Sequence, residues 1–341
     1  MTMYDDAGAG GRAVLALDIG GTKLAAGVIA ADGAVRSFVT CPTHVEEGPD
    51  AALARLFVLG RHALREAAID PDTAAQRLAG CGIGCGGPLD SAAGVLIAPP
   101  HLPGWHDIPI AQLAHEHYGL TAVLDNDGTA GAAGEWRFGA GRGTRHLVYL
   151  TVSTGVGGGV ILDGRPYRGA TGNGGEPGHV TVRSDGRPCR GCGRTGCLEA
   201  YASGTSIAER AREALAAGAP PSVLAALPAP GPTAADVARA ARDGDPLATA
   251  LWDETTDLLA EGLASIVNLY EPEIVVLGGG VTRAGEQLLG PVRHKTARLA
   301  MGPVAATRIV RARAGDRAGV LGAAAVALER LVDDAVPVPV A

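Results

Sequence analysis

Apolar residues near the N-terminus fall into two short runs split by a polar turn. In "AVLALDIGGTKLAAGVIAADGAV" the runs "AVLALDI" and "LAAGVIA" read as strands, joined at Gly-Gly-Thr and closed by a second turn at "ADG". That spacing predicts a β-hairpin, so the glycines form neither a Walker A loop nor a dinucleotide fingerprint, both of which open a helix. The pattern returns in "HLVYLTVSTGVGGGVILDGRPYRG" at 146–169, where "LVYLTV" and "GGVILD" flank a Ser-Thr-Gly turn. Either hairpin alone is commonplace. Together, at 15–30 and 147–163, they are the trace of two similarly built domains. A third glycine run closes the buried-looking strand in "PEIVVLGGGV" and precedes a helical segment, "AGEQLLGPVRHKTARLA".

Between the hairpins, "TAVLDNDGTAGAAGEWRFG" carries a short apolar strand into a helix-forming stretch, with Asn126 and Asp127 at the junction. Ligands of α/β sheets bind at such carboxyl edges. Asp127 has two compatible readings here, a helix cap and a reactive carboxylate. Further on, "DPLATALWDETTDLLAEGLASIVNLYEPE" has the spacing of a long amphipathic helix ending before Pro272. The Ala/Pro-rich stretch 216–236 reads as a surface excursion between helices.

Composition narrows the function classes. A length of 341 residues predicts two domains, and 47% hydrophobic against 19% charged residues predicts a packed globular chain. The net charge of −7 argues against a nucleic-acid partner. Acidic residues in "MTMYDDAGAGGR" replace the basic start of a signal peptide, and no apolar run reaches membrane-span length. A cytoplasmic location without a membrane partner is the expectation.

A reducing compartment then governs the six cysteines. Cys41, Cys81 and Cys85 sit among apolar neighbours as small hydrophobes. Cys189, Cys192 and Cys197 crowd into nine residues, with His179 ten residues upstream. Free thiols are one reading; a closed Cys3His zinc site of structural type is the other. Glu176 and Glu199 flank the cluster, either as solvated carboxylates or as groups that a metal clip aims at one polyhydroxyl ligand. The Gly20–Gly21–Thr22 turn suits a nucleotide phosphate: backbone N–H groups can approach it, and Asp18 can hold a magnesium-bound water. Lys23, one of two lysines in the chain, lies in this turn.

In order and spacing, "LALDIGGTK", "GIGCGGPLD", "HLPGW", "DNDGTAGAAGE", "STGVGGGVILDGRPYRGATGNGGEPGH", "CGRTGCLEAYASG" and "IVVLGGGV" resemble the ROK sugar kinases of the actin-like ATPase superfamily over nearly the whole chain. The resemblance implies a two-domain α/β, ribonuclease H-like fold with a ligand cleft between domains and a zinc knuckle. The small domain would span 1–125, completed by a C-terminal helix at 318–334; the large one would span 126–317 and carry the zinc loop 179–197. Asp127 would be the catalytic base, and Asn126, Glu176, His179 and Glu199 would bind sugar hydroxyls, with Gly87 and His101 on sugar-contacting segments. Asp18, the Gly20–Thr22 turn with Lys23, and Thr154–Gly155 would hold the phosphates and Mg2+ of ATP. Gly278, Gly279 and Gly280 would lie beside the adenosine. His179, Cys189, Cys192 and Cys197 would bind zinc, and the chain would form a homodimer or homotetramer.

The implied activity is ATP-dependent phosphorylation of a primary hydroxyl, with D-glucose the leading acceptor. A C7-cyclitol or an N-acyl hexosamine such as N-acetylmannosamine is the alternative. Two positions depart from the family pattern. "CRGC" inserts one residue where the family usually has CxC, which isolates Cys189; and His101 precedes "LPGW" where Asn is common. His101 is either a reader of a differently placed hydroxyl or a neutral loop variation. The family's repressors carry a DNA-binding segment ahead of the first strand, and only about a dozen residues precede it here, which argues for an enzyme. A sugar-binding regulator without catalysis is the remaining alternative, and the presence of Asp127 and both phosphate turns argues against it.

Overall fold

A computed structural model describes residues 12–333. In chain order the strands are β1 (Val14–Ile19), β2 (Lys23–Ile29), β3 (Val35–Pro42), β4 (Cys81–Cys85), β5 (Leu89–Asp90), β6 (Val95–Leu96), β7 (Ala122–Asn126), β8 (Leu147–Val152), β9 (Val156–Leu162), β10 (Arg165–Pro166), β11 (Ile274–Gly278) and β12 (Arg308–Arg311). The helices are α1 (Pro49–Glu66), α2 (Ala74–Arg77), α3 (Ile110–Tyr118), α4 (Asp127–Arg137), α5 (Glu199–Ala202), α6 (Gly204–Ala216), α7 (Ala234–Arg242), α8 (Pro246–Tyr270), α9 (Glu286–Leu299) and α10 (Ala318–Leu328).

Contacts divide the chain into two compact units. The first combines 1–143, 167–174 and 314–341; the second combines 144–166 and 175–313. Each holds one five-stranded sheet, ordered β3-β2-β1-β4-β7 in the first and β10-β9-β8-β11-β12 in the second. In both, an antiparallel hairpin leads into three parallel strands: β1 pairs antiparallel with β2 and parallel with β4, and β8 pairs antiparallel with β9 and parallel with β11. The duplication expected from the two glycine-turned hairpins, and the α/β actin-like fold class with it, is what the chain adopts.

Strand β1 shows why the hairpin reads as an unbroken apolar run. Alternate residues of a strand face opposite sides of the sheet. Leu15, Leu17 and Ile19 pack with Leu56 of α1, whereas Val14 and Ala16 pack with Val320, Ala323 and Ala327 of α10. Both faces are covered, so both sets must be apolar. In the second unit Val148, Leu150 and Val152 of β8 pack with Leu259 and Leu263 of α8 and with Leu277 of β11.

Helix α10 is apolar all round because it is enclosed all round, Val320 to Leu328 being buried. Its contact with α4 is backbone on backbone: a Cβ on Gly322 would lie 2.6 Å from the carbonyl of Ala130. The helix ends at Leu328 and is followed by a wider helical turn, Glu329–Asp333. Helix α8 begins at Pro246, capped by the Asp245 side chain on the Ala248 amide, and stops before Pro272. Among the described residues no helix is long and apolar enough to cross a membrane.

Candidate active site

In the first unit the polar junctions gather at the carboxyl ends of β1, β4 and β7. Strand β7 ends on Asn126, whose Oδ1 accepts the Gly128 amide at 2.8 Å and caps α4. The cap is therefore Asn126, and Asp127, foreseen in that role, starts the helix with its carboxylate left over. Asp127 keeps solvent access, yet protein surrounds it, and this desolvation pushes its pKa up, with His101 and the Gly128 amide pulling the other way. Asp18, at the end of β1, is raised to about 6 by burial and then by the Asp127 charge, with Lys23 opposing. Two carboxylates thus share one field.

His101 is tied into the same corner. Its main chain lies against Gly21 and its ring against Gly86. Ring Nε2 stands 4.0 Å from Cys85 Sγ. Burial holds the imidazole below its ordinary pKa, although the Asp127 charge works against this. Gly87 faces the Asn126 side chain. The Gly20–Gly21–Thr22 turn is stabilised from behind by Thr43, whose hydroxyl donates to the Gly20 carbonyl at 2.6 Å and whose amide donates to Thr22. Cys81 and Cys85 are buried in the core as small hydrophobes, and Cys41 is half-buried.

The second unit holds the sulfur cluster. One ligand atom each from His179, Cys189, Cys192 and Cys197 lies within 4.8 Å of all the others. Around a tetrahedral zinc with Zn–S near 2.3 Å, ligand atoms stand about 3.5–4 Å apart, so this donor set fits the ion. The nitrogen turned towards the thiols is His179 Nδ1, 3.7 Å from Cys189 Sγ. The additional residue in "CRGC" is absorbed by a tight turn, with the Gly193 amide on the Cys189 carbonyl and the Cys189 amide on the Arg194 carbonyl, so Cys189 stays in the cluster. The 3-10 turn Pro177–His179 follows Glu176, and its Gly178 abuts the Val156 carbonyl at the start of β9.

Glu199 connects this cluster to the second hairpin. Its Oε1 accepts from Cys189 Sγ at 3.3 Å, and its Oε2 accepts the Val156 amide at 2.9 Å. A Cβ on Gly155 would come within 2.7 Å of that carboxylate, so the glycine leaves Glu199 Oε2 room to reach the Val156 amide. The Ser153–Gly155 turn is closed by the Ser153 amide on the Gly155 carbonyl and held by the Gly204 amide on Ser153.

A cavity of 630 Å³ opens beside that turn, bounded by Thr154, Gly280, Ala208, Arg212, Trp252 and Pro230. Gly279, with φ +85, lets the chain turn against the Val152 carbonyl before Gly280 reaches the cavity. The stretch expected as a surface excursion between helices is largely exposed, and its segment from Pro230 to Thr233 also forms a wall of the cavity. Arg212 and Trp252, also missed, sit on helices whose sequence pattern marks them only as polar-face and core residues.

A family model described as "ROK family" matches residues 14–330. Over 322 residues the chain is 37% identical to the glucokinase of Thermotoga maritima, covering 93% of this chain and 98% of that one. The crystal structure of a ROK hexokinase from Thermus thermophilus matches with a TM-score of 0.78 at 37% identity, over 94% of this chain and 99% of its own. A ROK family glucokinase from Streptomyces griseus, in complex with glucose and AMPPNP, matches with a TM-score of 0.75 at 31% identity, over 93% and 99%.

Proposed function

Because the chain belongs to the ROK family, we propose that it is a glucokinase, transferring the γ-phosphoryl group of ATP to the primary hydroxyl of D-glucose. The observation that carries this reading is the division of labour at the β7–α4 junction. Asn126 satisfies the helix terminus, which leaves the solvent-accessible Asp127 carboxylate to accept a proton. An upward-shifted carboxylate is a better base than an ordinary one. It is still weak towards an alcohol, so the proton moves late, as the attacking oxygen loses negative charge to phosphorus.

Asn126, Glu176, His179 and Glu199 bind the sugar hydroxyls, with Gly87 and His101 alongside. His179 can do so with Nε2, since Nδ1 faces the thiols. The Ser153–Gly155 turn and the Gly278–Gly280 run receive the donor, with its base in the cavity beside Thr154 and Gly280. Asp18, the Gly20–Thr22 turn and Lys23 face the phosphates. Asp18 would hold Mg2+ beside these phosphates, and the ion would supply charge neutralisation during transfer. His179 and the thiolates of Cys189, Cys192 and Cys197 would hold zinc as a closed structural site, fixing the segment that carries Glu199. A reducing cytoplasm keeps those thiols available.

The test is ADP release with MgATP across D-glucose, other hexoses, N-acetylmannosamine and C7-cyclitols, with Asp127→Ala alongside. Turnover is expected with glucose and is lost in the variant. Turnover only with an amino sugar or cyclitol would replace glucose as acceptor; none with any acceptor would remove the kinase reading.

A further inference from the structure

Arg168 enters the glycine-rich stretch 169–175 from the end of β10, and its guanidinium is fully engaged within the first unit. Nε donates to Asp125 Oδ2 at 2.8 Å, while Nη1 and Nη2 donate to the two carboxylate oxygens of Glu329 at 3.0 and 2.6 Å. Asp125 has no exposed surface, and Arg330 Nη2 stands 3.6 Å from the same Oδ2. Arg330 also donates to the carbonyls of Ser91 and Leu124. The Arg168 carbonyl accepts the Gly174 amide at 2.8 Å, closing the loop on itself. Asp125 Oδ1 accepts the amide of Asn126 at 3.0 Å.

One side chain therefore joins three pieces of chain: the glycine-rich loop, the turn after α10, and the residue immediately before Asn126 and Asp127. A surface ion pair would have no such reach. Only a planar, five-donor group can bond one carboxylate through two nitrogens while bonding another through its third, so lysine is no substitute. The loop, for its part, is glycine-rich and has few side chains of its own to hold it; after Gly175 it runs directly into Glu176.

We propose that Arg168 is a positioning residue for the phosphoryl acceptor, fixing Asn126 and Asp127 through Asp125 and anchoring the loop that leads into Glu176. The proposal rests on the sugar-kinase reading. It separates acceptor from donor: the groups Arg168 governs are those assigned to the sugar, and none of the cavity beside Thr154 and Gly280 touches it.

The experiment measures KM for glucose and for MgATP, together with the rise in Tm that glucose alone produces, in wild type, Arg168→Met, Arg168→Lys and Glu329→Gln. Arg168→Met is expected to raise the glucose KM at least tenfold and abolish the glucose-induced Tm rise, with the MgATP KM within twofold of wild type. Arg168→Lys falls between the two. Glu329→Gln, which leaves the Asp125 bond in place, raises the glucose KM about threefold and serves as the deciding variant where Arg168→Met does not fold. A glucose KM within twofold of wild type in these variants, whatever their Tm, would overturn the proposal, as would a parallel rise in both KM values. Sugar turnover absent from the wild type itself would strike the underlying kinase reading instead.

Discussion

Gly319, second residue of α10, and the Asp18 carboxylate occupy adjoining space: a Cβ on Gly319 would overlap the carboxyl group. Asp18 is thus seated at the amino end of a helix, where the aligned peptide dipoles favour a negative charge. Gly319→Ala forces a short, half-buried side chain to move. The expected outcome is a loss of about 1–3 kcal/mol in urea unfolding and a raised KM for MgATP. An alanine variant with wild-type KM for MgATP would show that Asp18 has another task.

The same carboxylate makes the ligand-free protein sensitive to pH. Asp18 rises from an ordinary value of 3.8 to about 6 in the folded state. Across that interval the folded chain keeps a proton that the unfolded chain has released, so stability falls as pH climbs from about 4 to about 6. The full shift corresponds to about 3 kcal/mol, and solvent reaching the half-buried group trims it. Asp18→Asn should flatten this slope and leave the ligand-free protein more stable at pH 7. Urea titrations at half-unit steps would read it, and an unchanged slope would count against the assignment.

Asn126 and Asp127 should separate stability from chemistry. Asn126→Ala removes the α4 cap and should cost about 1 kcal/mol along with glucose affinity. Asp127→Asn keeps the cap and the shape and removes the base, so turnover should fall by about 10²–10⁴-fold at undiminished Tm. Equal destabilisation by both changes would argue against this division.

Metal analysis should find one zinc per chain. Cys192→Ser or strong chelation should release it, lower the Tm and raise the glucose KM, because the metal would fix the segment through Cys197 that leads two residues later into Glu199, and would orient His179. Protein that is free of zinc yet retains wild-type Tm and glucose KM would refute the anchoring role.

Filling the second-unit cavity should act on the donor alone. Ala208 is buried at its edge; Ala208→Phe is expected to raise the MgATP KM about tenfold or more, equivalent to about 1.4 kcal/mol of lost binding, while the glucose-induced Tm rise persists. A variant impaired for glucose only would assign the cavity to something other than the donor.

The repeated sheets were legible because each hairpin announces itself by two apolar runs and a polar glycine turn, and because strands covered on both faces carry no polar alternation to confuse them. The cap at α4 was not. Asn and Asp are equally good caps, and only the extended backbone of Asn126, φ −63 and ψ 142, decides between adjacent candidates. Composition marked 216–236 as a loop but says nothing of what a loop covers, so the wall from Pro230 to Thr233 went unseen. Arg168 and Glu329 lie 161 residues apart, and no local pattern connects such partners.

Helix α10 has a consequence for the order in which the protein is made. It fills one face of the sheet that contains β1, yet it is made about 300 residues after that strand. The second unit draws only on residues 144–313 and can close while translation is still under way. The first unit must wait with one side of its sheet bare until α10 has been made, so a chain broken off before Ala318 would yield one finished half and one that chaperones must hold.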